Sequence, residues 1–142
     1  MFKSINWIAV LIAAVLLEVL GYVWYGVLMR DAWTAAYQAS LGHAPDMSNV
    51  AVTQSIGAIN TVILVTGLAW VFWRTGVNTL AGIGAAVAVW FFFDFTTMAI
   101  DYIYMGLSQQ LVLINMGYQL LSYLVAGAVL GLMPPRSAAA PA

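Results

Sequence analysis

Four apolar runs, each long enough to cross a bilayer, take up most of the chain: about Ile5–Met29, Val50–Trp73, Val77–Tyr104 and Gln109–Met133. A membrane-spanning helix needs roughly 20 mainly apolar residues. The fold these runs dictate is all-α: a polytopic membrane protein, built as a four-transmembrane-helix bundle. Short polar breaks separate the later runs, at Arg74–Asn78 and Gly106–Ser108. Pro134 and Pro135 end the last one, because proline lacks the amide hydrogen and clashes with the preceding turn. The reading is a single four-helix domain over residues 1–134 with a short disordered tail at 135–142.

Composition narrows the functions. The 142 residues are 64% hydrophobic and 6% charged, where a soluble domain carries roughly 25% charged residues. A net charge of −1 gives no footing for nucleic acid. The absence of Cys excludes disulfides and thiolate metal sites, and one histidine, His43, cannot build a multi-histidine centre. No cofactor is implied. Lys3 and the run Trp7–Leu17 resemble a signal peptide, but Glu18 interrupts where cleavage would fall and the apolar run resumes to Met29. The first helix is therefore read as uncleaved.

The loop Arg30–Asn49 is long. Trp33, Ala36, Tyr37, Ser40 and Leu41 stand at helical spacing, with Asp31 as a cap and Gly42 as a stop. This predicts a short interfacial helix, its Trp and Tyr suited to the headgroup layer. An ordered loop packed over the bundle is the alternative. With Lys3, Arg74 and Arg136 on one side and Arg30 on the other, the positive-inside rule predicts both termini in the cytoplasm of a bacterial inner-membrane protein.

The run Trp90–Tyr104 carries Asp94 and Asp101 among its aromatics, and the first helix carries Glu18. A charge inside a bilayer costs about 3 kcal/mol or more, so such acids are functional candidates. At 1.5 Å per residue, Glu18, Asn60, Asp94 and Gln119 all lie roughly 15 Å from the outer ends of their helices. Spacing extends the pattern into stripes: Glu18, Tyr22 and Tyr25 on the first helix; Asp94, Thr97 and Asp101 on the third; Asn115, Tyr118 or Gln119, and Ser122 on the fourth. Gln54, Asn60 and Thr61 give the second a looser one. Polar stripes turn inward from lipid, which predicts a polar, tyrosine-rich interior. Pairs of small residues, Gly82–Ala86 and Gly127–Gly131, predict close helix contacts. A faint repeat relates Gln54…Asn60 to Gln109…Asn115 and Tyr22…Gly26 to Tyr102…Gly106, as in two helical hairpins.

No basic residue sits in mid-membrane. Two neighbouring carboxylates cannot both ionise cheaply, so Glu18 and Asp94 would be kept by protonation or by a bound cation. The bland alternative is a neutral Glu18 hydrogen-bonded to Asn60 or a tyrosine as glue between helices. Three readings follow. The first is a binding or transport-like protein whose polar carboxylate site holds protons or a small cationic or lipophilic ligand. The second is a membrane enzyme using Glu18 and Asp94 as acid and base on a lipid-like substrate. The third is a structural or accessory subunit. Membrane lipids and a second copy of the chain are the expected partners.

The motifs Asn6-Trp7, Gly21-x-x-Trp24-Tyr25-Gly26 with Trp33 following, and Asn115-x-Gly117-Tyr118 closing with Gly131, resemble the bacterial four-helix membrane proteins called domain of unknown function 1761. The resemblance spans nearly the whole chain. It implies four spans and no reaction. Val27 stands where that family often has proline, and Glu18, Asp94 and the loop Arg30–Asn49 have no place in its pattern. Leu17-Glu18-Val19-x-Gly21 is also similar to the first helix of small multidrug resistance transporters, a likeness the remaining helices do not share.

Overall fold

The structure, a computed structural model, describes residues 4–134. Lys3, Arg136 and the predicted disordered tail lie outside those residues. Among the described residues there are six α-helices: α1 (Trp7–Val23), α2 (Arg30–Leu41), α3 (Val50–Thr75), α4 (Ala81–Val89), α5 (Thr96–Tyr104) and α6 (Gln109–Leu132). Two π-helical segments join them. Trp24–Leu28 extends α1, and Trp90–Phe95 fuses α4 to α5. The four continuous helices long and apolar enough to cross a membrane are Trp7–Leu28, Val50–Thr75, Ala81–Tyr104 and Gln109–Leu132. The fold is all-α, and the protein is read as a multi-pass membrane protein.

Local chemistry sets the ends. Asn6 caps α1, its side-chain oxygen accepting from the Ala9 N–H at 3.3 Å. Its amide also reaches the Met133 carbonyl at 3.4 Å, tying the first span to the end of the last. Ser108 caps α6 through the Leu111 N–H. The helix predicted in the first loop is present, and Gly42 stops it in the left-handed conformation at φ 77°. Asp31 does not cap it. The cap position is Met29, and Asp31 falls in the first turn, where a negative charge faces the free N–H groups.

The third span starts four residues later than its apolar pattern suggests, at Ala81 rather than Val77. Val77–Leu80 are taken up by the turn. Thr79 sits at φ 58°, its N–H donates to the Gly131 carbonyl at 2.7 Å, and its carbonyl accepts from the Gly82 N–H. The chain can cross α6 this closely only because Gly131 has no side chain; a Cβ there would run into the Thr79 carbonyl.

Packing divides the molecule into two ends. At the terminal end, near Asn6, Gly76 and Met133, α1 packs on α3 and α6, and α4 packs on α6. Small residues line these contacts. Ala9, Ala13, Ala86 and Ala126 are fully buried, as are Val10 and Val65, and Phe72 is 1% exposed. The predicted small pairs meet each other: a Cβ on Gly127 would lie 2.7 Å from both the Ala86 Cβ and the Gly82 carbonyl oxygen. At the other end, which carries α2 and the Gly106–Ser108 turn, the helices part. Every residue of α3 from Val50 to Asn60 is exposed except Ala58, and α5 has no buried residue.

Candidate functional site

A cavity of about 640 Å³ occupies the parted end. The first span contributes Leu17 and Tyr25 to its wall, α2 contributes Trp33 and Tyr37, and α3 contributes Asn60, Thr61 and Leu64. Asp94, Met98 and Tyr102 come from the third span. Asn115, Tyr118, Gln119, Ser122 and Tyr123 come from α6. Among the described residues no lysine or arginine lines it.

The third span and α6 run antiparallel and meet across the cavity wall in rungs four residues apart. Tyr123 donates its hydroxyl to Asp94 Oδ2 at 2.6 Å. One turn on, the Gln119 amide nitrogen contacts Met98 Sδ at 2.8 Å. A further turn on, the Tyr102 hydroxyl lies beside the Asn115 side chain. The first rung joins two oxygens and is shorter than the amide–thioether contact of the second. Asp94 itself lies in the π-helical segment Trp90–Phe95, whose wider turn sets the phase of the residues that follow.

On the opposite side, α1 and α6 interlock large residues against small ones. The Tyr118 hydroxyl lies over Gly21, where a Cβ would sit 3.1 Å from its oxygen, and it reaches the Leu17 carbonyl at 3.4 Å. Trp24 lies over Gly117 and donates its indole N–H to the Ile114 carbonyl at 3.1 Å. Tyr25 donates to Asn115 Oδ1 at 3.1 Å. The residues of the two sequence motifs in the first and last helices are thus each other's partners. Asn115 is central, with Tyr25 on one side and Tyr102 on the other.

An aromatic chain runs from this contact into α2. Ring centroids are 5.0 Å apart for Tyr118 and Tyr25, 5.7 Å for Tyr25 and Trp33, and 5.4 Å for Trp33 and Tyr37. The Ser108 N–H holds α2 in place by donating to Ser40 Oγ at 2.9 Å.

Of the residues singled out from sequence, Tyr25, Asn60, Asp94, Asn115, Tyr118 and Gln119 line the cavity. Glu18, Tyr22 and Asp101 do not; all three are exposed. Glu18 shares the depth of the others, each standing ten residues from the parted end of its span (Leu28, Val50, Tyr104 and Gln109), about 15 Å along the helix. It does not share their direction. The buried face of α1 runs through Ala9, Ala13 and Leu17, and one residue further turns Glu18 about 100° away. On the third span the inward stripe is Asp94, Met98 and Tyr102, not Asp94, Thr97 and Asp101. The hydroxyl of Thr97 turns back to the Phe93 and Asp94 carbonyls. Tyr123 escaped the sequence reading, although it continues the Asn115–Gln119 spacing by one more turn. So did the inward turn of Trp33 and Tyr37, whose apolar stripe had suited the headgroup layer equally well.

Chemically the site offers one carboxylate, held by a phenol, within a wall of phenols, an indole and side-chain amides. Among the described residues no three His, Cys, Asp or Glu come together as a metal site. Over residues 8–131 the chain matches the family described as "Protein of unknown function (DUF1761)". No curated protein and no solved structure matches it.

Proposed function

Because the chain belongs to the DUF1761 family, a family of unknown function, we propose a role from the geometry: a membrane-embedded binding protein, transport-like in character, whose cavity holds a proton or a small lipophilic or cationic ligand on Asp94. One observation carries this reading. Among the described residues the cavity is lined by a single acid and no base, so none of them supplies a charge complementary to Asp94. Intramembrane acids without a cationic partner mark ion, proton or ligand sites. Its size falls within the roughly 300–1,000 Å³ of small-molecule pockets.

With both termini cytoplasmic, as the basic residues suggest, the cavity faces the outer side of the inner membrane. The same reading has a second copy cover the α1 face that carries Glu18, since lipid offers that carboxyl no hydrogen-bond partner. Acid–base catalysis by Glu18 and Asp94 gains no support, because only Asp94 lines the cavity.

The test is thermal unfolding of the purified full chain in detergent, at acidic and neutral pH, with a panel of lipophilic cations. Wild type and Glu18→Gln should be stabilised by the same compounds, and Asp94→Asn should lose the response. If Asp94→Asn responds like wild type, or if no cation shifts wild type at either pH, the proposal fails.

A further inference from the structure

We propose that the cavity is loaded sideways from the bilayer by an amphiphile with a single cationic end, held with that end on Asp94 and its hydrocarbon body toward α2. The inference rests on the binding reading above and adds the route and the class of ligand.

The route follows from a missing wall. The third span and α6 are fastened by the rungs that begin at Asp94 and Tyr123, and α6 and α1 by Trp24 over Gly117 and Tyr118 over Gly21. Helix α2 packs on α6 and on the Trp24–Leu28 segment, and it roofs the cavity with Trp33, Tyr37 and Leu41. On the remaining side, among the described residues, α3 gives the wall only Asn60, Thr61 and Leu64. The stretch Val50–Ile59, about 15 Å of helix, adds nothing to it, and all of that stretch but Ala58 is exposed. Val52, Ile56 and Ile59 are its large exposed side chains beyond Val50. The Ser55 and Thr61 hydroxyls turn back to the Ala51 and Gly57 carbonyls of α3 itself, at 2.8 and 3.1 Å, as suits a helix standing in lipid. A slot therefore runs beside α3 from α2 down to Asn60, which both lines the cavity and is exposed. At these depths the slot opens on hydrocarbon.

The class of ligand follows from the order of groups inside. Nearest α2 the wall is made by Leu41, Met105, Leu107 and Leu111. At the depth of Asp94 it is made by Asn60, Thr61, Gln119 and Ser122. A bilayer is polar at its surface and apolar at its centre, and the cavity runs the other way. A phospholipid in its ordinary orientation would set its headgroup against leucine and methionine and its tails against a carboxylate. A small hydrated ion arriving over α2 would shed its water at the same apolar end before it met Asp94, which costs free energy. An amphiphile already in the adjoining leaflet meets neither obstacle. Its body stays in an apolar setting throughout, and only its one polar end turns inward past Asn60. There the Asp94 carboxylate and the hydroxyl oxygens of Tyr123 and Thr61 accept the N–H groups it carries.

Hexylamine, octylamine and decylamine test the route on the full chain in lipid nanodiscs, by stopped-flow tryptophan fluorescence with the Asp94→Asn trace subtracted. The association rate constant, referred to the aqueous amine concentration, should rise about fourfold for each added methylene, the factor by which the amine concentrates in lipid. Entry from water would leave that constant the same along the series, and such a result overturns the sideways route while the carboxylate site stands. Orientation is read with a decylamine that carries a diazirine on its last carbon. After irradiation the adducts should fall on Leu41, Met105 or Leu107, and they should vanish under excess octylamine and in Asp94→Asn. Adducts at Leu64 or Ser122 instead would overturn the placement of the polar end on Asp94. If no amine gives a signal or an adduct that Asp94→Asn abolishes, the binding reading fails and this inference with it.

Discussion

The two ends of this bundle are built from the same kind of helix and packed in opposite ways. At the terminal end, glycine and alanine bring α4 onto α6 until backbone meets backbone, and Phe72 fills what is left. At the parted end, aromatic and amide side chains hold the helices off one another around an open volume. In lipid there is little hydrophobic gain in joining helices, so cohesion comes from close packing and hydrogen bonds. One end takes nearly all the close packing. The other is then free to keep a cavity, with polar groups as its fasteners. A rigid base under a looser, chemically furnished end is how this small protein can hold a site at all.

Alanine placed at equivalent helical glycines should expose that contrast. The largest effect is expected from Gly127→Ala, where the new methyl would meet the Ala86 Cβ and the Gly82 carbonyl oxygen, both at 2.7 Å. Overpacking against backbone should cost about 3 kcal/mol in reversible unfolding by denaturing detergent, read by circular dichroism. Phe72→Ala, which empties the centre of the same end, should cost on the order of 2–3 kcal/mol, below the value for a water-soluble core because the transfer term is small in lipid. At the parted end Tyr25→Phe removes one hydrogen bond to Asn115 and should cost about 1 kcal/mol or less. Gly57→Ala has nothing within 4 Å of its new methyl and should be neutral, or stabilising by up to about 1 kcal/mol through helix propensity. Similar costs for Gly57→Ala and Gly127→Ala would show that the two ends do not differ as described.

Much of this architecture was legible in the chain. Four long apolar runs admit few solutions in a bilayer, and the small pairs at Gly82–Ala86 and Gly127–Gly131 pointed to the contact they make. Depth was readable too, because rise per residue is nearly constant. Direction was not. Glu18 lies at the right level and faces outward, since one position along α1 turns a side chain by about 100°. Asp101 failed for a different reason. Its stripe presumed a regular α-helix, and the π-helical segment that holds Asp94 breaks that regularity with no marker among its residues. Tyr25 was reached by counting from Glu18, yet it belongs with Leu17 and Gly21 on the face that α6 covers. The end of α4 nearest the turn was obscured because Val77–Leu80 are apolar enough for a helix; only the docking of Thr79 on Gly131 takes them out of it.

The wide turns have one more consequence, for how this sequence is compared with others. A π turn closes on the fifth residue rather than the fourth and so holds one residue more than the α turn it replaces. Removing a single residue between Trp90 and Phe95 would let the span close up as an ordinary helix. The residues beyond would keep their direction, because the turn has shed just the residue that made it wide, and Met98 and Tyr102 would stay on the cavity wall. A relative whose alignment shows a one-residue gap at this point would keep the side chains beyond it on the cavity wall, whereas the same gap in a regular stretch of the span would swing them by about 100° and leave the hydropathy profile almost untouched. A gap with no wide turn to absorb it, more than any substitution, would mark where a shared scaffold stops implying a shared ligand.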